Sequence, residues 1–340
     1  MSINVGIIGT GRIAHMQLAP AMQHVRGARL WSVLSRDEKR AAKFANQHGA
    51  TAPVNAYDSL SAFLADPSLE AVIIATPDAL HARQAVAAAR AGKHVLLEKP
   101  MATTLEDAIA VTETCREERV KLGIAYHLRW HDGHRKVAEM LHQGVLGKAR
   151  YARAIWTWQS DDNSNWRAHG ELGRWWGLAG VGTHCMDLLR WMLVPVSGEV
   201  TRCSGTVDMS HYGGPHDETA TVSLQFGNAV VADFTTSVMF STPSRFELYC
   251  DEATVICEGT LGPTGGGSIS VNSAPLDFEM LNPYVGEIQN FIDAIEGVAR
   301  IAVPGSEGQR NVELLLQAVK SSEHLADTCL LYTSPSPRDS

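Results

Sequence analysis

The sequence predicts an α/β protein in two parts: a doubly wound parallel sheet over residues 1–125, then an α+β unit over residues 126–328 with a large, open, mostly antiparallel sheet. Three observations carry this. As far as about Ala125, short apolar runs alternate with segments of helical period, the pattern of βαβ units. A glycine-rich turn, Gly9-Thr10-Gly11, follows the first run directly. After Tyr126 the apolar period falls to two, as in strands with one buried face.

In the first part, strands are expected at Ile3 to Ile8, Ala28 to Ser35, Ala71 to Ala75, His94 to Leu97 and Lys121 to Ala125. Helices are expected at Glu38 to His48, Ser59 to Ala65, Leu80 to Ala91 and Thr104 to Arg119. Gly49 and Gly92 stand where helices should stop, Asp66-Pro67 marks a turn, and Thr104 with Asp107 resembles a capping box. In the second part, Ala220, Val222, Leu224 and Phe226 alternate with polar residues. Gly227-Asn228 then intervenes before Val230, Ala232, Phe234 and Thr236, which reads as a hairpin with one buried face. Arg150 to Trp158 and Arg245 to Cys250 alternate in the same way. Two helices follow, Tyr284 to Gly297 and Glu307 to Thr328, the latter carrying a docking stripe of Val312, Leu315, Leu316, Val319 and Ser322. Residues 329–340, with two Ser-Pro pairs and no periodicity, read as a non-native disordered tail.

Composition excludes several classes. The chain has 340 residues, 45% apolar and 19% charged, so it can bury a sizeable core and is neither disordered nor a small disulfide scaffold. Its 29 Lys and Arg against 37 Asp and Glu give a net charge of -8, which repels a nucleic-acid backbone. The six cysteines form no C-x-x-C pair, so they suggest reduced thiols in a cytoplasm rather than a zinc ribbon or a disulfide framework. Apolar runs are too short to span a membrane, and Ile3 opens a strand pattern with no secretory segment before it. A soluble cytoplasmic protein is expected.

The chemistry is expected at four places. Gly9-Thr10-Gly11-Arg12-Ile13-Ala14 sits between a strand and a helix-like segment. Gly9 permits the tight turn, Gly11 lets the backbone approach a pyrophosphate, and the small Ala14 allows close helix packing, the arrangement of a Rossmann dinucleotide site. A helix N-terminus there adds about 0.3 to 1 kcal/mol toward an anion. The second strand ends Leu34-Ser35-Arg36, where an acid would hold a ribose 2'-hydroxyl. A hydroxyl and a guanidinium suit a 2'-phosphate instead, so NADP(H) is preferred over NAD(H), although Asp37 is near enough in sequence to reach the ribose. Arg36, Lys39 and Arg40 form the one basic cluster, fit for a single small anion.

Glu98-Lys99-Pro100 closes the strand His94 to Leu97, at the carboxyl edge of the sheet where ligands bind. Pro100 fixes the aim of Lys99, and a lysine partly desolvated beside a positive nicotinamide has its pKa lowered toward acid–base use. On a helix through Gly180-Val181-Gly182-Thr183-His184-Cys185-Met186-Asp187, His184, Asp187 and Trp191 share a face open to substrate. Cys185, Leu188, Leu189 and Met192 share the core face. His127, His131 and His134 lack a cysteine or carboxylate completing a tetrahedral set, so no metal is expected. His127 reads as a cleft residue. Of Trp156, Trp158, Trp166, Trp175 and Trp176, the expectation for stacking on a sugar ring falls on Trp166 and Trp176.

Together these residues resemble the Gfo/Idh/MocA oxidoreductase family over nearly the whole chain to about Thr328. The motifs are the turn at Gly9, Ala75-Thr76-Pro77 with His81, Glu98-Lys99-Pro100, and Gly182-x-His184-x-x-Asp187. The resemblance implies Lys99 and His184 as the proton-handling pair, Asp187 as a substrate contact, and Thr76, Pro77, His81 and Glu98 near the cofactor. Arg129, Trp166 and Arg167 match positions that line the same cleft. It implies a carbohydrate-like substrate and a homodimer or homotetramer built on the open sheet. One departure stands out: members acting on sugars or inositols usually carry Asp four residues before the histidine, where this chain has Gly180. Either Asp161, Asp162 or Glu171 substitutes, or Lys99 and His184 act alone, with His184 titrating near about 6.5 or lower. The expected reaction is hydride transfer between nicotinamide C4 and a hydroxyl or carbonyl carbon. The alternatives are a glycosidase working by transient oxidation and elimination, and a non-catalytic dinucleotide-binding protein.

Overall fold

The computed structural model describes residues 2–328; the segment read above as a tail lies outside the described residues. The first sheet is wholly parallel. It is built from β1 (Ile3–Ile8), β2 (Ala28–Leu34), β3 (Ala56–Tyr57), β4 (Ala71–Ile74), β5 (His94–Leu97) and β6 (Leu122–Ile124), in the order β3-β2-β1-β4-β5-β6. Every residue of β1 is buried, as both faces of such a sheet are covered by its crossover helices. Those helices are α1 (Ala19–Met22), α2 (Glu38–His48), α3 (Leu60–Leu64), α4 (His81–Arg90) and α5 (Leu105–Glu117). A π-helical stretch, Ala14–Leu18, leads into α1.

The helix boundaries follow from local chemistry. Asp37 caps α2 by accepting the Arg40 N–H at 2.8 Å, and Gly49 ends it at φ 72°, a conformation that favours glycine. Thr104 caps α5 by accepting the Asp107 N–H. The expected helix from Leu80 begins instead with a 3-10 turn at Asp78–Leu80, because Pro77 forces an extended entry.

The second sheet has eight strands: β7 (Ala149–Thr157), β8 (Val200–Asp208), β9 (Thr219–Phe226), β10 (Val231–Ser237), β11 (Arg245–Cys250), β12 (Thr254–Glu258), β13 (Ser268–Val271) and β14 (Ala274–Pro275). Their order is β14-β13-β12-β11-β7-β10-β9-β8, antiparallel except where β10 meets β7. The β9–β10 hairpin buries Ala220, Val222, Leu224, Ala232 and Phe234, the face its alternation marked. Against the sheet lie α6 (Asp132–His142), α7 (Thr183–Ser197) and α9 (Gly305–Thr328). Val312 and Leu315 of the expected stripe are buried with Leu314 and Ala318, while Leu316 and Val319 are half-buried. Helix α9 also closes the exposed edge of β8, whose Gly205 and Val207 N–H groups donate to the hydroxyls of Ser321 and Ser322.

Helix α8 (Pro283–Ile295) returns to the first sheet, where Ile288, Phe291 and Ile292 pack with Val5, Ile7 and Leu30. It thereby brings Tyr284 and Glu287 toward the carboxyl edge of that sheet. No helix among the described residues is long and apolar enough to cross a membrane.

Candidate active site

A cavity of about 1010 Å³ runs along the carboxyl edge of the first sheet and under the start of α7. Its first wall is the turn after β1. Gly9 sits at φ 104°, and a Cβ there would lie 2.5 Å from the Ala75 carbonyl oxygen, so only glycine lets β1 and β4 end side by side. A Cβ on Gly11 would meet nothing within 4 Å, which leaves bare backbone facing the cavity, while Ala14 is fully buried beneath it. Thr10, Arg12, Ile13, Ser35, Arg36 and Arg40 continue this wall. The hydroxyls of Thr10 and Ser35 are 3.2 Å apart. Asp37 is spent on capping α2 and does not line the cavity, whereas Asp58, which belongs to no motif, does. Bare glycine backbone, a hydroxyl pair and the guanidinium groups of Arg12, Arg36 and Arg40 fit a dinucleotide phosphate chain, so these residues would hold NAD or NADP.

The middle wall comes from the ends of β4 and β5. Thr76 donates to Gln84 at 2.6 Å, and both ring nitrogens of buried His81 lie 2.8 Å from carbonyl oxygens, of Pro100 and of Thr76. His81 thereby ties the two loops together; burial lowers its pKa against the pull of Asp78 and of the two carbonyls. Glu98, also buried, has its pKa raised by burial and partly restored by Lys99. The Lys99–Pro100 peptide is cis. The Lys99 ammonium reaches across to the second unit and donates to the Gly180 carbonyl at 2.9 Å and to that of Ala179 at 3.2 Å. Burial and the nearby Arg167 guanidinium bring its pKa down to about 8, against Glu98, Asp78 and Glu287.

The far wall holds His127, Trp156, Asn165, Trp166, Arg167, Gly180, Val181, His184, Pro263 and Tyr284. Helix α7 starts at Thr183, whose hydroxyl pairs with Tyr126 at 2.7 Å, and this sets His184 facing the cavity. The His184 ring is 4.6 Å from that of His127 and 5.5 Å from that of Trp156, and its Nδ1 has no protein partner. Burial, Lys99, His127 and Arg167 hold His184 well below the ordinary histidine pKa, so it is neutral. His127 stacks on Tyr284 and is pushed down to about 3 by burial. Arg167 is gripped by Asp78 through two hydrogen bonds and lies over the Trp166 ring.

Several expected residues stand elsewhere. Arg129 and Asp187 do not line the cleft: they form a bidentate pair of 2.6 and 2.8 Å, joined by Glu307 and Asn311 of α9, and both are buried. The reason is helical geometry, since three residues beyond His184 the side chain has moved one turn along α7, where the 3-10 turn His127–Trp130 supplies the guanidinium. Trp176 is also off the wall. It packs with Ala168 and Val238 in a separate buried cluster, while Trp156, not chosen from sequence, lines the cavity. Asp161, Asp162 and Glu171 are exposed and absent from the cavity wall, so none takes the place of a carboxylate at position 180. His131 and His134 stack behind the wall, His134 bound to Thr260, and no metal-binding group was found among the described residues. Tyr284 and Pro263 carried no sequence signal, because they reach the cavity from segments remote from every motif.

Comparison with known proteins agrees with this layout. Residues 3–126 match the model of an oxidoreductase family with an NAD-binding Rossmann fold, and residues 134–256 match the GFO/IDH/MocA C-terminal domain. The chain is 28% identical over 325 residues to a 1,5-anhydro-D-fructose reductase of Ensifer adhaerens, spanning 93% of this chain and 95% of the relative. It is 23% identical to an NADP(+)-dependent D-xylose 1-dehydrogenase of Haloarcula marismortui, over 94% of this chain and 91% of that one. Among solved structures, the aldose-aldose oxidoreductase of Caulobacter crescentus, complexed with glycerol, superposes with a TM-score of 0.88 at 19% identity, over 95% of this chain and 98% of the other.

Proposed function

The chain belongs to the GFO/IDH/MocA family of oxidoreductases, and on that premise we propose how its cleft works. It is an NAD(P)-dependent oxidoreductase acting at a hydroxyl or carbonyl carbon of a sugar, polyol or related compound, with NADP(H) preferred and Lys99 and His184 handling the proton. One observation carries this reading: the Lys99 ammonium and the His184 ring line the same cavity as the bare backbone of Gly9 and Gly11. When bound, the nicotinamide ring supplies the hydride acceptor or donor at C4; the proton is the protein's task.

On oxidation, a hydroxyl proton must leave as the carbonyl forms. A neutral lysine amine has two N–H donors and one lone pair. The carbonyls of Ala179 and Gly180 engage the donors, so the lone pair is left for the substrate hydroxyl. With its pKa near about 8, Lys99 is a base at mildly alkaline pH and an acid at neutral pH, which serves both directions. Neutral His184, which lines the same cavity as Lys99, hydrogen-bonds the reacting oxygen and orients it. Trp156 and Trp166 present aromatic faces suited to a sugar ring. At the cofactor end, Ser35, Arg36 and Arg40 support NADP(H), because a 2'-phosphate takes charge-assisted hydrogen bonds from guanidinium groups.

A thermal-shift and absorbance screen with NAD and NADP against sugars, polyols and keto-sugars tests the reading. Stabilisation by NADP together with reduction of it by a carbohydrate is expected. Stabilisation without turnover across the panel would favour a binding protein, and release of an aglycone at constant nicotinamide absorbance would favour a glycosidase.

A further inference from the structure

Position 180 holds glycine where the family resemblance would place a carboxylate, and the structure gives a steric reason for it. A Cβ on Gly180 would lie 2.5 Å from Cη2 and 3.0 Å from Cζ3 of Trp158. The indole edge therefore rests on the Gly180 backbone. Trp158 has little freedom to withdraw: it continues β7, its N–H donates to the Ser237 carbonyl at 3.0 Å, and its ring packs with Trp176, Ala168 and Val238.

The backbone under this indole is the π-helical turn Leu178–Gly182. Two further groups grip its start. Buried Asp217 accepts the N–H groups of Trp176 and Leu178 at 2.8 and 2.6 Å, and Thr236 donates to the Gly177 carbonyl at 3.1 Å. Gly180 N–H donates back to the Trp176 carbonyl at 2.8 Å. The turn is thus pinned below by Asp217 and Thr236 and covered above by Trp158. Its Ala179 and Gly180 carbonyls are the groups that Lys99 meets.

We propose that Trp158 is a positioning residue for Lys99: its indole, seated on Gly180, holds the π-helical turn so that two backbone carbonyls aim the lysine nitrogen into the cavity. Backbone dipoles thereby do what a side chain at position 180 would otherwise do. The role assigned to Lys99 rests on the function proposed above, but the contact itself is a property of the cofactor-free protein. Trp158 lines no part of the cavity and acts only through the turn. The charged and titratable groups around Lys99 are Arg167, Glu98, Asp78, Glu287, His127 and His184, none of them on β7.

Competitive acetylation of the cofactor-free protein with acetic anhydride across a pH series, read at the Lys99 peptide by mass spectrometry, tests this without any substrate. In the wild type, half-maximal reactivity is expected at about 8. In Trp158→Ala the turn loosens and the Ala179 and Gly180 carbonyls, which favour the charged ammonium, no longer hold the amine, so the midpoint should fall below the wild-type value by about one unit. Trp158→Phe keeps an aromatic ring but lacks the outer indole edge that touches Gly180, so its midpoint should fall between those of the wild type and Trp158→Ala. If Trp158→Ala keeps native circular dichroism and also keeps the wild-type Lys99 midpoint, the proposal is overturned. A shifted midpoint in a protein that oxidises no carbohydrate would uphold the positioning role and remove the enzymatic one, so the two claims fail separately.

Discussion

The Nζ of Lys99 lies 2.9 Å from the carbonyl oxygen of Gly180, a residue 81 positions further along the chain. This contact joins the end of a strand in the parallel sheet to the helical segment that carries His184. It is the point where the two parts of the cavity wall meet.

Because Lys99 is half-buried and beside Arg167, its pKa falls to about 8, and in the proposed mechanism its neutral form is the base on oxidation. The rate of oxidation should therefore rise with pH up to about 8 and then level off, while reduction should show the opposite limb. Initial rates in both directions across pH 6 to about 10 check this; an oxidation limb set near the His range would move the base to His184.

Arg36, just past the end of β2, and Arg40, in the first turn of α2, line the cavity, with Asp37 turned into the α2 cap. Arg36→Ala should weaken NADP binding by about tenfold to a hundredfold, the scale of a hydrogen bond to a charged group, and leave NAD binding nearly unchanged. Titration calorimetry with each nucleotide distinguishes this from a general loss of affinity.

The Arg129–Asp187 pair is a structural tie between α7 and the 3-10 turn at His127–Trp130. Replacing Arg129 with Met strands a buried carboxylate and should cost about 3 to 5 kcal/mol of stability. At temperatures where the variant stays folded, its KM for cofactor should match the wild type. A raised KM with unchanged stability would return Arg129 to the cofactor site.

His134 is fully buried and, like His127, is pushed by burial from 6.5 down to about 3. Between those values the unfolded chain takes up protons that the folded chain refuses, so stability falls as pH drops from about 6.5 toward 3. Melting temperatures over that range should decline, and His134→Gln should flatten the slope even if it lowers the starting stability.

The fold was legible in the sequence wherever local chemistry decides it. The boundaries of β1, β5 and α2 follow from apolar runs, the Asp37 cap and Gly49, all read within a few residues of one another. Strand β8 was missed because a bulge between Val200 and Arg202 breaks its alternation, and because α9, distant in sequence, covers its edge. That Gly9, Lys99 and His184 face one cavity was legible because each sits at a strand or helix end with a distinctive neighbour. Arg129, Asp187 and Trp176 were misplaced because sequence spacing shows which residues share a face, not what already occupies that face. The exclusion of a side chain at position 180 depends on Trp158, 22 residues upstream across a loop, and no periodicity reports such a contact.

The claim that Lys99 is the proton-handling group in an NAD(P)-dependent carbohydrate oxidoreductase is tested most directly by Lys99→Met. The measurement is its cofactor reduction beside the wild type, on whichever carbohydrate the screen identifies. The variant should bind NADP with wild-type affinity and lose turnover by about a hundredfold to ten-thousandfold. Turnover equal to that of the wild type would contradict the claim.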